Sequence, residues 1–237
     1  MAIKPKKTLR AIFVACTNAI ILFGAMLAIA QNPQIEEKLM AIKQSMDRNK
    51  QKLAQYTWTE TEIISIKGSV KNTKTYQVMM ANGQQQKNLV NDQKASSGGR
   101  EGRLKERVIE KKTEEYEQYG QQISSLAKEY TTPSPDRLMQ AKQQGNLSLQ
   151  PGTGTVSLVI KSFVKPNDQV TLTISEQTHA PVSVRVNSYL NDPSDAVNIS
   201  AQFAQLPDGT NHVANTTING VSKELTVQDE NSNYQLK

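Results

Sequence analysis

Gln169-Val170-Thr171-Leu172-Thr173-Ile174-Ser175 alternates apolar and polar residues along its whole length. Successive side chains of an extended strand point to opposite faces, so Val170, Leu172 and Ile174 share one face and the threonines the other. The same beat returns in Val182, Val184 and Val186, and again in Val197, Ile199, Ala201 and Phe203. Between and beyond these runs stand Lys165-Pro166-Asn167-Asp168, His179-Ala180-Pro181, Asn191-Asp192-Pro193, Leu206-Pro207-Asp208-Gly209 and Asn219-Gly220, all of them turn chemistry. With the apolar run 156–164 and the segments 210–218 and 223–228, the chain from Asn146 onward reads as six strands. Short strands joined by tight turns make an antiparallel meander, and clean alternation gives it one apolar and one polar face.

A second β block lies upstream. Thr57-Trp58-Thr59-Glu60-Thr61-Glu62-Ile63-Ile64-Ser65-Ile66 is rich in β-branched and aromatic residues, Gly68 suggests a turn, and 73–80 reads as the return strand. Asn82-Gly83 signals a hairpin into a third, more polar strand over 85–90. Helices flank and separate the blocks. Ile35, Leu39, Ile42, Met46, Leu53 and Tyr56 recur at helical spacing over 35–56, with Pro33 tolerated near the start. After a polar loop over 91–102, centred on Ser96-Ser97-Gly98-Gly99, a long helix is predicted over 104–130. Its stripe is Leu104, Val108, Tyr116, Tyr119, Ile123, Leu126 and Tyr130, with Gly120 marking a kink or a close approach. Thr132-Pro133-Ser134-Pro135 stops it, and a short helix over 136–144 ends at Gly145. The expected fold class is α+β: a strongly curved antiparallel sheet of about nine strands, a half-barrel, with helices on its concave, apolar face.

The first thirty residues set the compartment. Lys4, Lys6, Lys7 and Arg10 precede an uncharged stretch over 11–30 that closes on Ala28-Ile29-Ala30, a small-x-small site. That order is a secretory signal peptide, with cleavage expected after Ala30 and a single domain over 31–237. A retained anchor is the competing reading. Cys16, Thr17 and Asn18 interrupt the run, however, and leave only 19–30 strongly apolar, short of a span of about 20 residues. A periplasmic or secreted location follows. Removing the leader's four basic residues from the chain's 28 leaves 24 against 22 acidic ones, so the basic pI belongs largely to the leader. No clustered basic face remains for nucleic acid. The mature chain also loses its one cysteine, Cys16, and with it disulfides, metal thiolates and a nucleophilic thiol.

The catalytic inventory is thin. His179 and His212 fall in or beside predicted turns with no serine or acidic partner in view, and read as exposed turn residues. No nucleophile elbow, zinc-protease pair or phosphate loop occurs. Glu60 and Glu62, two apart on a strand, share a face; such a pair does acid/base work, binds a cation, or belongs to a solvated face of threonine and glutamate. Asp192-Pro193-Ser194-Asp195 offers calcium oxygens or is ordinary turn material. Tyr56, Trp58 and Tyr76, with Met80 and Met139, are candidates for an apolar pocket wall, and Tyr116 and Tyr119 would reach it from the long helix. On this helix the tyrosines, Tyr130 included, are expected to bury one ring face and keep the hydroxyl wet. No catalytic residue, metal ligand or cofactor is assigned.

The order of leader, helix, strands, helices and long meander resembles the LolA/LolB-like periplasmic lipoprotein-carrier superfamily. The chain is also similar to uncharacterised exported proteins of environmental bacteria, through Leu53-Ala54-Gln55-Tyr56-Thr57-Trp58-Thr59-Glu60 with Lys67-Gly68, Ser188-Tyr189-Leu190-Asn191-Asp192-Pro193, and Gln202-Phe203-Ala204-Gln205-Leu206-Pro207-Asp208-Gly209-Thr210. The carrier resemblance implies an apolar half-barrel, covered by helices, that holds acyl chains. The arginine tied to cargo control in such carriers has no counterpart here. The expected function is a non-enzymatic envelope protein that binds a lipid, a lipoprotein acyl chain or another amphiphile under a curved sheet. The alternative is an envelope scaffold with a fully packed core, binding a protein partner.

Overall fold

The computed structural model describes residues 33–81, 84–94, 103–131, 137, 140–141 and 143–237. The leader and its cleavage site, the Asn82-Gly83 turn, the 96–99 loop centre, and Met139 with three other residues of the predicted 136–144 helix lie outside the described residues. Helix α1 (Pro33–Leu53) leads into β1 (Tyr56–Ile66), β2 (Ser69–Ala81) and β3 (Gln84–Lys94). Helix α2 (Arg103–Thr131) follows. The meander is then β4 (Leu147–Pro151), β5 (Thr155–Lys161), β6 (Gln169–Ser175), β7 (Pro181–Tyr189), β8 (Ala196–Gln205), β9 (Asn211–Gly220) and β10 (Leu225–Leu236). One ten-stranded antiparallel sheet runs in the order β3-β2-β1-β10-β9-β8-β7-β6-β5-β4. It is open between β3 and β4, and the chain passes from one edge to the other through α2. Among the described residues no helix is long and apolar enough to cross a membrane.

Departures from the expected reading have local causes, and β10 runs on to Leu236 where the last strand was expected to end at Gln228. The strand count is ten, because Leu147–Pro151 pairs with β5 despite its single apolar alternation. Tyr56 is the first residue of β1 rather than the last of a helix, since α1 ends at Leu53 and the next two residues turn. The segment 91–94, expected as loop, continues β3 against β2. Val182 leaves the apolar face of β7 because a register shift pairs Ile174 with Pro181, and it is exposed. Gly120 causes no break in α2.

The main core joins the meander's alternating face to α2. Leu158, Ile160, Val170, Leu172, Ile174, Val184, Val186, Val197, Ile199 and Ile218 share one buried cluster with Tyr119, Ile123, Leu126, Ala127 and Tyr130. Each such aliphatic side chain contributes about 1.5–3 kcal/mol by leaving water. The helices lie across opposite ends of this face. Tyr119 donates to Asp195 Oδ1 at 2.9 Å, beside the β7–β8 turn, and Tyr130 donates to Asp168 Oδ2 at 2.5 Å, beside the β5–β6 turn. Those hydroxyls are therefore bonded to protein carboxylates and not wet, contrary to expectation, and Asp195 serves as a helix anchor. Asp168 earns its burial by also accepting the backbone N–H groups of Phe163, Val164 and Lys165. At the other end Asn49 of α1 accepts from the Asn211 amide at 2.6 Å and donates to its carbonyl at 2.7 Å, and Tyr56 donates to Asp208 Oδ2 at 3.0 Å.

At Gly220 the Tyr119 ring of α2 lies directly on the sheet backbone. A Cβ there would stand 2.4 Å from Tyr119 Cε1, so any side chain forces the ring away. Gly220→Ala is expected to cost about 1–3 kcal/mol. That corresponds to about 2–4 °C of melting temperature per kcal/mol in a domain of this size. The penalty should shrink sharply in a Tyr119→Ala background, and thermal melts of the four proteins of that cycle measure it. Val184→Asp, which places a charge in the main core, is expected to prevent folding; a soluble protein with an unchanged melt would refute the assignment of that face.

Candidate functional site

The alternation of β1 puts Tyr56, Trp58, Glu60, Glu62 and Ile64 on one face, and that face is the buried one. Glu60 is 0% exposed and Glu62 2% exposed, so the two are not part of a solvated strand surface. Their neighbours follow from register. Glu62 stands opposite Lys74 on β2 and Asp229 on β10; Glu60 stands opposite Tyr76 and Asn231. Lys74 Nζ donates to Glu62 Oε1 at 2.9 Å, and Lys87 of β3 reaches over to pair with Glu60. The result is a belt of three carboxylates and two ammonium groups, all under cover.

The belt belongs to a longer row. Continuing the antiparallel partners across the sheet, Lys74, Glu62, Asp229, Thr216, Ala201, Val184, Leu172, Leu158 and Leu149 succeed one another from β2 to β4. Strands lie about 4.8 Å apart, so the aliphatic part from Ala201 to Leu149 extends about 19 Å. One row of the inner face thus turns from charged to hydrocarbon at the β9–β8 step.

Electrostatics in the belt are unbalanced. Burial, followed by the charge of Glu60, pushes the Asp229 carboxyl up to about 8, although Lys87 opposes the shift. Burial also raises Glu62, against the pull of Lys74, and raises the Tyr76 phenol, to which Glu62 and Glu60 add. Several buried polar atoms find no hydrogen-bond partner among the described residues: Glu60 Oε2, Asp229 Oδ1, Thr216 Oγ1, Gln85 Oε1 and both amide atoms of Asn72. Each such atom costs about 1–3 kcal/mol in a dry core. Among the described residues no group of three or more histidine, cysteine, aspartate or glutamate residues is arranged to hold a metal ion.

The belt has an opening in the sheet. β9 and β10 pair only from Gly220 and Leu225 to Asn215 and Glu230; beyond that β9 follows β8 and β10 follows β1. The strands part around an open cleft of about 420 Å³ whose lining includes Thr216, Asp229, Glu230 and Asn231. Asn231 and Tyr234 bridge the split higher up by donating to the Val213 carbonyl, at 3.1 and 3.4 Å.

Of the expected pocket residues, Trp58, Tyr76 and Met80 meet in one small cluster with Val78 and Tyr234. The Trp58 ring stacks on Tyr234 at 5.4 Å, and its indole N–H donates to Asn231 Oδ1 at 3.0 Å. Tyr56 meets the edge of Tyr234 at 6.4 Å. Tyr119 is elsewhere, in the main core on Gly220, and Tyr116 is half-buried on α2. His212 is not an exposed turn residue. It is buried on β9 against Tyr234, with ring centroids 4.2 Å apart, and burial lowers its pKa. Lys74, Lys87, Asp229, Thr216 and Tyr234 were not singled out in the sequence. The available signal was the phase of β1, which places both glutamates between Trp58 and Ile64 on the apolar beat.

A pH dependence follows. A carboxyl whose folded pKa lies above its unfolded value keeps a proton that the unfolded chain has lost, so stability falls as pH rises from about 4 to 8. Asp229→Asn should flatten that slope and raise the melting temperature more at pH 8.5 than at pH 5. Calorimetry at the two values tests it, and an equal change at both would contradict the assignment.

No protein-family model matches the chain, and no curated protein does either. Among solved structures the chain is similar to a DUF1329 family protein from Desulfovibrio piger, at 9% identity and a TM-score of 0.39, over 84% of this chain and 92% of that one. It is also similar to a LolA superfamily protein from Nitrosomonas europaea, at 8% identity and a TM-score of 0.35, over 84% of this chain and 93% of that one.

Proposed function

We propose that this is an exported, non-enzymatic binding protein of the bacterial envelope that holds a lipid, a lipoprotein acyl chain or another amphiphile against the inner face of its sheet. The observation that carries this reading is the row from Lys74 to Leu149, charged at one end and aliphatic for about 19 Å at the other. A core built only for stability has little use for a charged end with unpartnered oxygens, whereas an amphiphile needs both ends. Transfer of an acyl chain onto such a face is favourable by about 0.8 kcal/mol per methylene, so binding requires no chemistry. The role is one of holding because the histidines offer no base to a nucleophile. His212 rests on Tyr234 with Nδ1 beside the Val213 carbonyl, and His179 occupies a turn with positive φ.

One observation favours the scaffold alternative. Buried side chains of α2 share the cluster of the meander's apolar face, and a helix that never leaves would keep that face filled. Under the binding reading α2 is the element that yields, and the hydrogen bonds of Tyr119 and Tyr130 are what hold it shut.

Native mass spectrometry of the protein purified gently from an envelope fraction, with organic extraction of the same sample, separates the two. A stoichiometric lipid or other amphiphile is the expected result. A protein that is empty, and stays empty after incubation with envelope lipids, would overturn the binding reading and leave the scaffold one.

A further inference from the structure

The unpartnered buried atoms have a common character. Glu60 Oε2, Asp229 Oδ1 and Gln85 Oε1 are acceptors, the Thr216 hydroxyl accepts as readily as it donates, and Asn72 supplies one acceptor and the only obligatory donor. Charge tells the same story. Lys87 is taken by Glu60 and Lys74 by Glu62, which leaves the third carboxylate, Asp229, with no ammonium in contact among the described residues. Asp229 and Thr216 are 4% and 3% exposed, and both line the cleft where β9 and β10 part. A cation entering there would meet the Asp229 carboxyl, which no ammonium contacts among the described residues, and the Thr216 hydroxyl. An anion would find both lysines already engaged by Glu62 and Glu60.

We infer that the β9–β10 cleft is a binding site for an alkylammonium group, with Asp229 as counter-ion and Thr216 and Glu60 as further acceptors. The inference rests on the amphiphile reading for the rest of the ligand and adds its head group: a primary amine, and not a carboxylate or phosphate monoester. A bound ammonium opposes the burial and the Glu60 charge that make Asp229 hold its proton. Near neutral pH, binding therefore transfers a proton from the Asp229 carboxyl to the solvent, and the resulting carboxylate pairs with the ligand's ammonium.

Trp58, the only tryptophan, reports on the site, since its N–H bonds Asn231 in the cleft wall and its ring stacks on Tyr234. The test is a tryptophan-fluorescence titration of the full mature protein with decylamine, decanoate and butylamine. Decylamine is expected to bind at least tenfold more tightly than decanoate at pH 7. Asp229→Asn, which mimics the neutral acid and should fold, is expected to abolish that preference, and Thr216→Val to reduce it. Equal binding of the two ten-carbon probes, or a preference that survives Asp229→Asn, would overturn the head-group assignment and leave the amphiphile reading standing. Butylamine binding as well as decylamine would keep the cation site and remove the amphiphile. No binding by any of the three would overturn both.

Discussion

Pairing of β1 with β10 is the constraint on which the remaining structure depends. It runs from Tyr56 opposite Leu236 to Ile66 opposite Leu225, and it is the sole seam between the three-stranded amino-terminal block and the seven-stranded meander. Without it there would be two sheets, each with an extra raw edge, and α2 would tether them. With it, the inner face becomes continuous and rows of side chains can run across nine strands. The charged belt straddles this seam, two glutamates on one side and Asp229 on the other, so the same pairing that completes the fold assembles the site.

Burying that belt is costly. Two ion pairs out of water recover their desolvation only with good geometry, and a third carboxyl pushed to hold its proton adds to the cost. The chain offsets it in the aliphatic half, where β4 to β9 and α2 form a core without charges at its centre. It also places its polar pins where they are fully used. Asp168 accepts four hydrogen bonds, counting three backbone amides and Tyr130, while the hydroxyl of Tyr119 joins Asp195 and Ser222. The polar groups named at the rim are satisfied; Glu60 Oε2 and Asp229 Oδ1 in the belt are not. That contrast is the physical basis for reading the belt as a site.

The meander was legible because its strands are short, regular and punctuated by unambiguous turns, so period and chemistry agreed. The long helix was legible for the same reason. Local pattern failed where long-range pairing overrode it. Leu147–Pro151 has too little alternation to stand as a strand alone and is one only because β5 offers an edge. The polar segment 91–94 is a strand for an equivalent reason. The site was half legible. Trp58, Tyr76 and Met80 sit on β1 and β2, the strands that carry Glu60, Glu62 and Lys74, but the two glutamates carry charges that composition assigns to water, and only their phase with Trp58 and Ile64 says otherwise. Asp229 could not be found at all by inspection, because its meaning comes from Glu62 on a partner strand 167 positions away (229 − 62).

That distance has a consequence for how the chain is born. A chain delivered amino terminus first exposes β1 long before β10 exists, so one edge of β1 must wait, unpaired, for the last strand to arrive. Loop closure over such a span is slow, and an unpaired edge with apolar neighbours invites other chains to add to it. Glu60 and Glu62 point inward from that waiting strand. During the delay they make any apolar intruder bury two charges, and only a strand arriving with β10's polar register, beside the lysines of β2 and β3, meets them at tolerable cost. The belt that sits awkwardly in the finished molecule is a sentry during its assembly.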